Sequence, residues 1–318
     1  MLTLADLDAA HALVREAMQP SPALRWPLLC ERLRTEAIVK HENHNPTAAF
    51  KVRGGLTYVD ALLRRAPQTR AIVSATRGNH GQSLAFAAAR ARVEPIIFVP
   101  HGNSTEKNAA MRALGARVIE HGHDFQAAAE QAARYAETHG LEMVPSFHRD
   151  LVRGVATYAL ELLRVHPDLS ALYVPVGLGS GICGAISARD ALNLKTEIVG
   201  VQARGAPAYA LSFAAGRPVA TDVADTLADG VATRAANAEA LEIIRRGAAR
   251  IVLVSDDEIA QAVRAYWTDT HNLAEGAGAA PLAAAMQEKP RGKIGLVLSG
   301  GNIDFALFQH WIVQGSIK

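Results

Sequence analysis

Parallel α/β architecture is what this chain encodes, for three reasons. Short runs that are apolar throughout, such as AIVSA at 71–75 and RIVLVS at 250–255, recur along it. Ala-rich stretches long enough to be crossover helices separate them. The runs do not alternate polar with apolar residues, which marks strands covered by helices on both faces. At 318 residues the chain can bury a large core and has the length of two domains.

The elements follow in order. MLTLADLDAAHALVREAM places Leu4, Leu7, Ala10, His11 and Val14 near helical spacing after Thr3, with acids from the start. It reads as an amphipathic helix, not a secretory signal. The strand AIVSA leads into a helix through QSLAFAAARAR, PIIFVP (95–100) into TEKNAAMRALG, and ARVIEHG (116–122) into FQAAAEQAARYAETHG. LYVPVG (172–177), TEIVGVQA (196–203), RIVLVS and KIGLVLSGG (293–301) are further strands, each beside a helical segment. No run of about 18 apolar residues occurs, so no membrane span is expected.

A net charge of +2, with 20% of residues charged, gives no field to attract nucleic acid or an anionic membrane. Cys30 and Cys183 make neither a disulfide framework nor a zinc site, so a reducing, cytoplasmic setting is expected. The histidines, including His41, His44, His121 and His123, show no ligand spacing and are read as structural or surface residues.

Open parallel sheets bind ligands beyond the carboxyl ends of their strands. Three strand ends carry unusual loops. VGLGSGICG follows the strand at 172 with glycines at 177, 179, 181 and 184, a form that converges backbone N–H groups on a phosphate or makes a tight turn. It fits neither the dinucleotide fingerprint nor a Walker A loop. SATRGNHGQS packs Thr76, Arg77, Gly78, Asn79, His80 and Gly81 into one corner, able to seat a carboxylate or simply to cap a helix. LSGGN sets Ser299 at a strand end, as a turn or as a hydroxyl facing a ligand. Ahead of all three, NPTAAFKVRGG places Lys51 after a Pro46-Thr47 turn. An amine, a phosphate cradle, a carboxylate nest and a neutral hydroxyl together suit pyridoxal 5′-phosphate with an amino-acid substrate.

KHENHNPTAAFKVRGG, SATRGNHGQSLAFAA, GLGSGICG and LSGGN resemble, in order and spacing, the motifs of fold-type II pyridoxal-phosphate enzymes, most closely the threonine/serine dehydratase and serine racemase branch. The resemblance runs from about Trp26 to Asn302. It implies two open, mostly parallel twisted sheets covered by helices, as in the tryptophan synthase β-like fold. It also implies a large domain of residues 1–53 and 147–318 and a small mobile domain of residues 54–146. Lys51 would form the Schiff base and Phe50 would flank the ring. Asn79 would meet the 3′-oxygen, while Gly177, Leu178, Gly179, Ser180 and Gly181 would hold the phosphate and Ser299 the ring nitrogen. Thr76, Arg77, Gly78, Asn79 and His80 would surround the substrate carboxylate, and Glu275 would lie beside the ring. The implied activity is conversion of L-threonine or L-serine to a 2-oxo acid and ammonia, by a homodimer. A neutral residue at position 299 implies an unprotonated ring nitrogen and prompt β-elimination.

Three departures qualify the likeness. Arg77 stands where relatives have a small residue or, in racemases, a serine; an arginine stays protonated, which disfavours racemisation, and its fork either pairs with a second carboxylate, as in 3-hydroxyaspartate, or simply braces the loop. Gln202, Ala206 and Ala208 supply no charge where relatives hold a divalent cation, so no metal is expected. One helix after SGGN the chain stops, so isoleucine feedback through a C-terminal domain is not expected. Cys183 reads as a small buried hydrophobe. The alternatives are a 3-hydroxyaspartate lyase, an amino-acid racemase, and a cofactor-binding regulatory protein without turnover.

Overall fold

The computed structural model describes residues 2–314. Its strands are β1 (Ala23–Arg25), β2 (Ala37–His41), β3 (Ala71–Ala75), β4 (Glu94–Val99), β5 (Arg117–Glu120), β6 (Glu142–Met143), β7 (Ala171–Pro175), β8 (Glu197–Ala203), β9 (Ala248–Val254) and β10 (Ile294–Leu298). They form a six-stranded sheet in the order β1-β2-β10-β7-β8-β9 and a four-stranded sheet in the order β5-β4-β3-β6. Every pairing is parallel except that of β1 with β2.

The pleat divides each apolar strand between two helical layers. In the larger sheet Val39, Leu296 and Leu298 pack with the helices Asp256–Thr270 and Gly276–Glu288. Ile38, Val174 and Val297 pack on the other face with Arg149–Val165 and Ser180–Ala191. In the smaller sheet Ile72 and Ile97 meet the helices Lys51–Arg65 and Asn79–Arg90, while Val73 and Phe98 meet Phe125–His139. The first helix, Leu4–Arg15, is closed by a capping box: Thr3 Oγ1 accepts from the Asp6 N–H at 3.1 Å and the Asp6 carboxylate accepts from the Thr3 N–H at 2.9 Å. No described helix is long and apolar enough to cross a membrane.

β2 escaped the reading of the sequence because AIVKH ends in two polar residues, yet all five are buried. Lys40 is tolerated there because its Nζ donates to Glu161 Oε2 at 2.6 Å and to the Ser21 carbonyl at 2.7 Å. The short strands β1 and β6 also carry too little pattern to be seen. The helix through QSLAFAAARAR begins earlier than its apolar run, at Asn79.

Candidate active site

The strand order explains how distant motifs meet. β10 lies between β2 and β7, so the segments leaving three adjacent parallel strands, at residues 41, 175 and 298, emerge side by side. After β2 the chain makes a 3-10 turn, Glu42–His44. Asn45 then caps the bend: its Oδ1 accepts from the N–H groups of Thr47 at 3.3 Å and Ala49 at 3.1 Å, holding Ala48 at φ 49°. This delivers Lys51 as the first residue of the helix Lys51–Arg65.

The end of β10 is bonded directly to that segment. The Phe50 N–H donates to the Ser299 carbonyl at 2.9 Å and the Gly301 N–H to the Ala48 carbonyl at 2.9 Å. Glu275 joins the same strand end, its N–H donating to the Gly300 carbonyl at 3.0 Å. The asparagine corner closes the circle: Asn79 Nδ2 donates to Glu275 Oε1 at 2.7 Å, and Asn302 Nδ2 donates to Asn79 Oδ1 and to the Thr47 carbonyl, both at 2.9 Å. The glycine loop approaches from β7, where the Phe50 ring lies 3.5 Å from where a Cβ on Gly181 would stand and Tyr158 donates to the Gly181 carbonyl at 3.0 Å.

Lys51 Nζ sits 4.8 Å from the Phe50 ring centroid and makes no hydrogen bond to any described residue. Burial pulls its ammonium down to about 8, against the opposing pull of Glu275. Burial pushes Glu275 up to about 7; Lys107 pulls it down, Asp229 up, and Asn79 and Lys51 down. One oxygen of Glu275, Oε2, is buried without a partner. His80 is neutral, held down to about 3 by burial and by the charge of Lys51; its ring N–H donates to the Pro145 carbonyl and Nε2 is left unpaired. Thr76 Oγ1 accepts from the N–H groups of Gly78 at 2.9 Å and Gly81 at 3.3 Å. Arg77 is exposed and has no partner among the described residues.

These residues fit pyridoxal phosphate. Gly179, at φ 97°, turns the chain into the helix Ser180–Ala191, and no backbone acceptor among the described residues faces the N–H groups from Gly177 to Ile182. A helix N-terminus with free amides is an anion seat. A Cβ on Gly177 would lie 2.2 Å from the Gly230 carbonyl oxygen, so the loop tolerates no side chain there. Ser299 and Ser180 are buried with hydroxyls that bond no described residue, and Asn79 Nδ2 has a second hydrogen to give. The half-buried Lys51, unpaired among the described residues, would supply the amine.

Beneath Lys51 lies a cluster that the sequence did not announce. Arg53 is fully buried and its fork spans Glu42 at 2.8 and 3.0 Å and Glu161 at 2.8 and 2.9 Å. Asn302, Lys107 and Asp229 carry no local signal of their place here, and of the three only Asn302 lies within a loop motif, LSGGN. Cys183 is fully buried and burial raises its thiol, in line with a packing role. Gln202 is spent on the protein, accepting from the Ala210 N–H at 2.9 Å and donating to the Val176 carbonyl at 3.4 Å.

Comparison with known proteins places residues 14–300 in a match to the family described as pyridoxal-phosphate dependent enzyme. The L-threonine ammonia-lyase of Geobacter sulfurreducens is 34% identical over 321 residues, covering 100% of this chain and 80% of that protein. Among solved structures, the processed form of threonine deaminase isoform 2 from Solanum lycopersicum is similar with a TM-score of 0.91 and 28% identity, covering 98% of this chain and 92% of that one. A pyridoxal 5′-phosphate-dependent aspartate racemase is similar with a TM-score of 0.88 and 27% identity, covering 96% and 97%.

Proposed function

The chain belongs to the family of pyridoxal-phosphate dependent enzymes, and from that premise we propose that it is an ammonia-lyase converting L-threonine or L-serine to a 2-oxo acid and ammonium. The observation that carries this reading is a half-buried, unpaired Lys51 at the point where the lysine, glycine, asparagine and SGGN segments converge, in a chain related over its whole length to a threonine ammonia-lyase. Bound pyridoxal phosphate supplies the electron-withdrawing ring that acidifies the substrate Cα–H bond.

The chain's own groups do the rest. Gly177 to Gly181 and Ser180 would hold the phosphate through free N–H groups and a hydroxyl; Phe50 would pack beside the ring, Ser299 would face its nitrogen and Asn79 its 3′-oxygen. Lys51 Nζ takes the Cα proton, a role favoured by an amine whose affinity for protons is lowered toward neutrality. The β-carbon–oxygen bond then breaks, the departing hydroxide takes up the proton that Lys51 removed and leaves as water, and water later displaces ammonium. The Thr76 hydroxyl proton and the Asn79 N–H receive the substrate carboxylate, while the Gly78 N–H, bonded to Thr76 Oγ1, fixes the corner that presents them. His80 offers a lone pair at Nε2, so it accepts from the substrate ammonium or Lys51 instead of donating to the carboxylate. Residues 54–146 act as a small domain that closes on residues 1–53 and 147–318 and excludes water. A cytoplasmic homodimer is expected, the oligomer being checked by light scattering.

Saturation of purified protein with pyridoxal phosphate is expected to give a visible absorption band and 2-oxo acid from threonine and serine. Lys51→Ala should lose both, turnover by several orders of magnitude; band and turnover surviving that change would refute the reading. A second reading rests on the exposed, unpartnered Arg77, whose fork suits a second carboxylate. Faster turnover of 3-hydroxyaspartate than of threonine, abolished by Arg77→Ala, would support it.

A further inference from the structure

The N-terminal turn of the helix Thr105–Ala113, which flanks the smaller sheet, makes three bonds to segments around the larger one. Lys107 Nζ pairs with Asp229, Ser104 Oγ bonds Asp304 Oδ1, and Glu106 Oε1 accepts from the Phe305 N–H at 2.9 Å. Lys107 is 7% exposed although it carries a charge. Its methylene stem occupies the place where Gly78 has no side chain, since a Cβ there would lie 2.4 Å from Lys107 Cδ. Asp229 sits in a 3-10 turn, Asp229–Val231, whose next residue supplies the carbonyl against Gly177 of the glycine loop. A Cβ on Gly230 would also stand 3.9 Å from Glu275 Oε1, so this turn lies between the glycine loop and Glu275. One side chain therefore touches the asparagine corner at its stem and the turn beneath the glycine loop at its head.

We infer that Lys107 is a positioning residue: its ammonium fastens the helix Thr105–Ala113 to Asp229 and, in that fastened state alone, sets a positive charge beside Glu275 next to the cofactor site. The inference rests on the reading that pyridoxal phosphate occupies that site. Burial pulls the Lys107 ammonium down, but Asp229, Glu275 and Asp304 outweigh it and the net shift is upward, so the cation persists when enclosed. The groups that act on Glu275 are Lys107, Asp229, Asn79 and Lys51, and Lys107 is the strongest of those that favour its charged form. Opening would remove that support, so Glu275 would gain a proton more readily in the open state.

Lys107→Met keeps the stem against Gly78 and deletes the charge; Asp229→Asn removes the partner, and Lys107→Arg restores a cation. In cofactor-loaded protein, hydrogen–deuterium exchange of residues 104–113 and 229–231 is expected to rise together, about tenfold or more, in Lys107→Met and Asp229→Asn, and to stay near wild type in Lys107→Arg. The pH midpoint of the cofactor's visible absorption is expected to move upward in Lys107→Met by about half a unit or more. Unchanged exchange in both Met and Asn variants would overturn the fastening. Raised exchange with an unmoved midpoint would reduce Lys107 to a brace and overturn its action on Glu275. Neither readout needs turnover, so a wild-type protein that makes no 2-oxo acid would refute the lyase reading and leave this test intact.

Discussion

Lys40 and Lys107 are buried with a carboxylate at contact distance, whereas Lys51 has none, and that difference sets its chemistry. An ammonium held at about 8 is half neutral near that pH, while an ordinary lysine is not. Covalent capture of pyridoxal phosphate by the cofactor-free protein, followed by absorption, is therefore expected to quicken as pH rises toward 8 and then level off; a rate still climbing to pH 10 would show an unperturbed amine. Two histidines act oppositely to the usual acid-pH partner. His41 accepts from the Trp26 indole at Nε2, 2.9 Å, and faces Asn43 Oδ1 with Nδ1, 3.2 Å; burial, then His44, hold it down to about 4, and His80 lies lower still. Their folded affinities for protons are below the unfolded value of 6.5, so the unfolded chain binds more protons between 6.5 and about 4. Stability present above 6.5 is lost as pH falls through that window, and urea midpoints in His41→Gln should fall less steeply there. Arg53→Met leaves Glu42 buried without a cation and Glu161 with Lys40 alone, a loss expected to cost about 3–5 kcal/mol in urea unfolding.

The glycine loop shows at the level of an element why composition was informative. A methyl added at Gly177 has no space under the Gly230 carbonyl. Overpacking of this kind costs about 1–3 kcal/mol, and if confined to the loop it weakens pyridoxal phosphate binding roughly ten- to hundredfold, which equilibrium titration of Gly177→Ala would read. Such loops were legible because their chemistry is local: glycines beside a strand and a helix start need no tertiary partner to be recognised. The apolar strands were legible for the same reason. β2 was not, because the partners that make Lys40 and His41 tolerable there include Glu161, the Ser21 carbonyl and Trp26, which lie elsewhere in the chain. Lys107 looked like an ordinary helix lysine because its partner stands 122 residues away. Glu275 was visible as a residue before a helix start, but its bond to Asn79, 196 residues distant, was not.

For the whole molecule, the site depends on both sheets at once: β2, β7 and β10 present three segments, and β3 presents the fourth through the Asn79 corner. Deleting everything after residue 293 is expected to abolish cofactor colour and to make the β2 and β7 regions sensitive to protease, although Lys51 and the glycine loop remain in the chain. The cause is the position of β10, which is contributed late yet pairs on one side with β2 and on the other with β7. During synthesis the lysine leaves the ribosome some 240 residues ahead of the strand that will seat it, and through that interval the nascent polypeptide has no finished pocket in which an aldehyde can be captured.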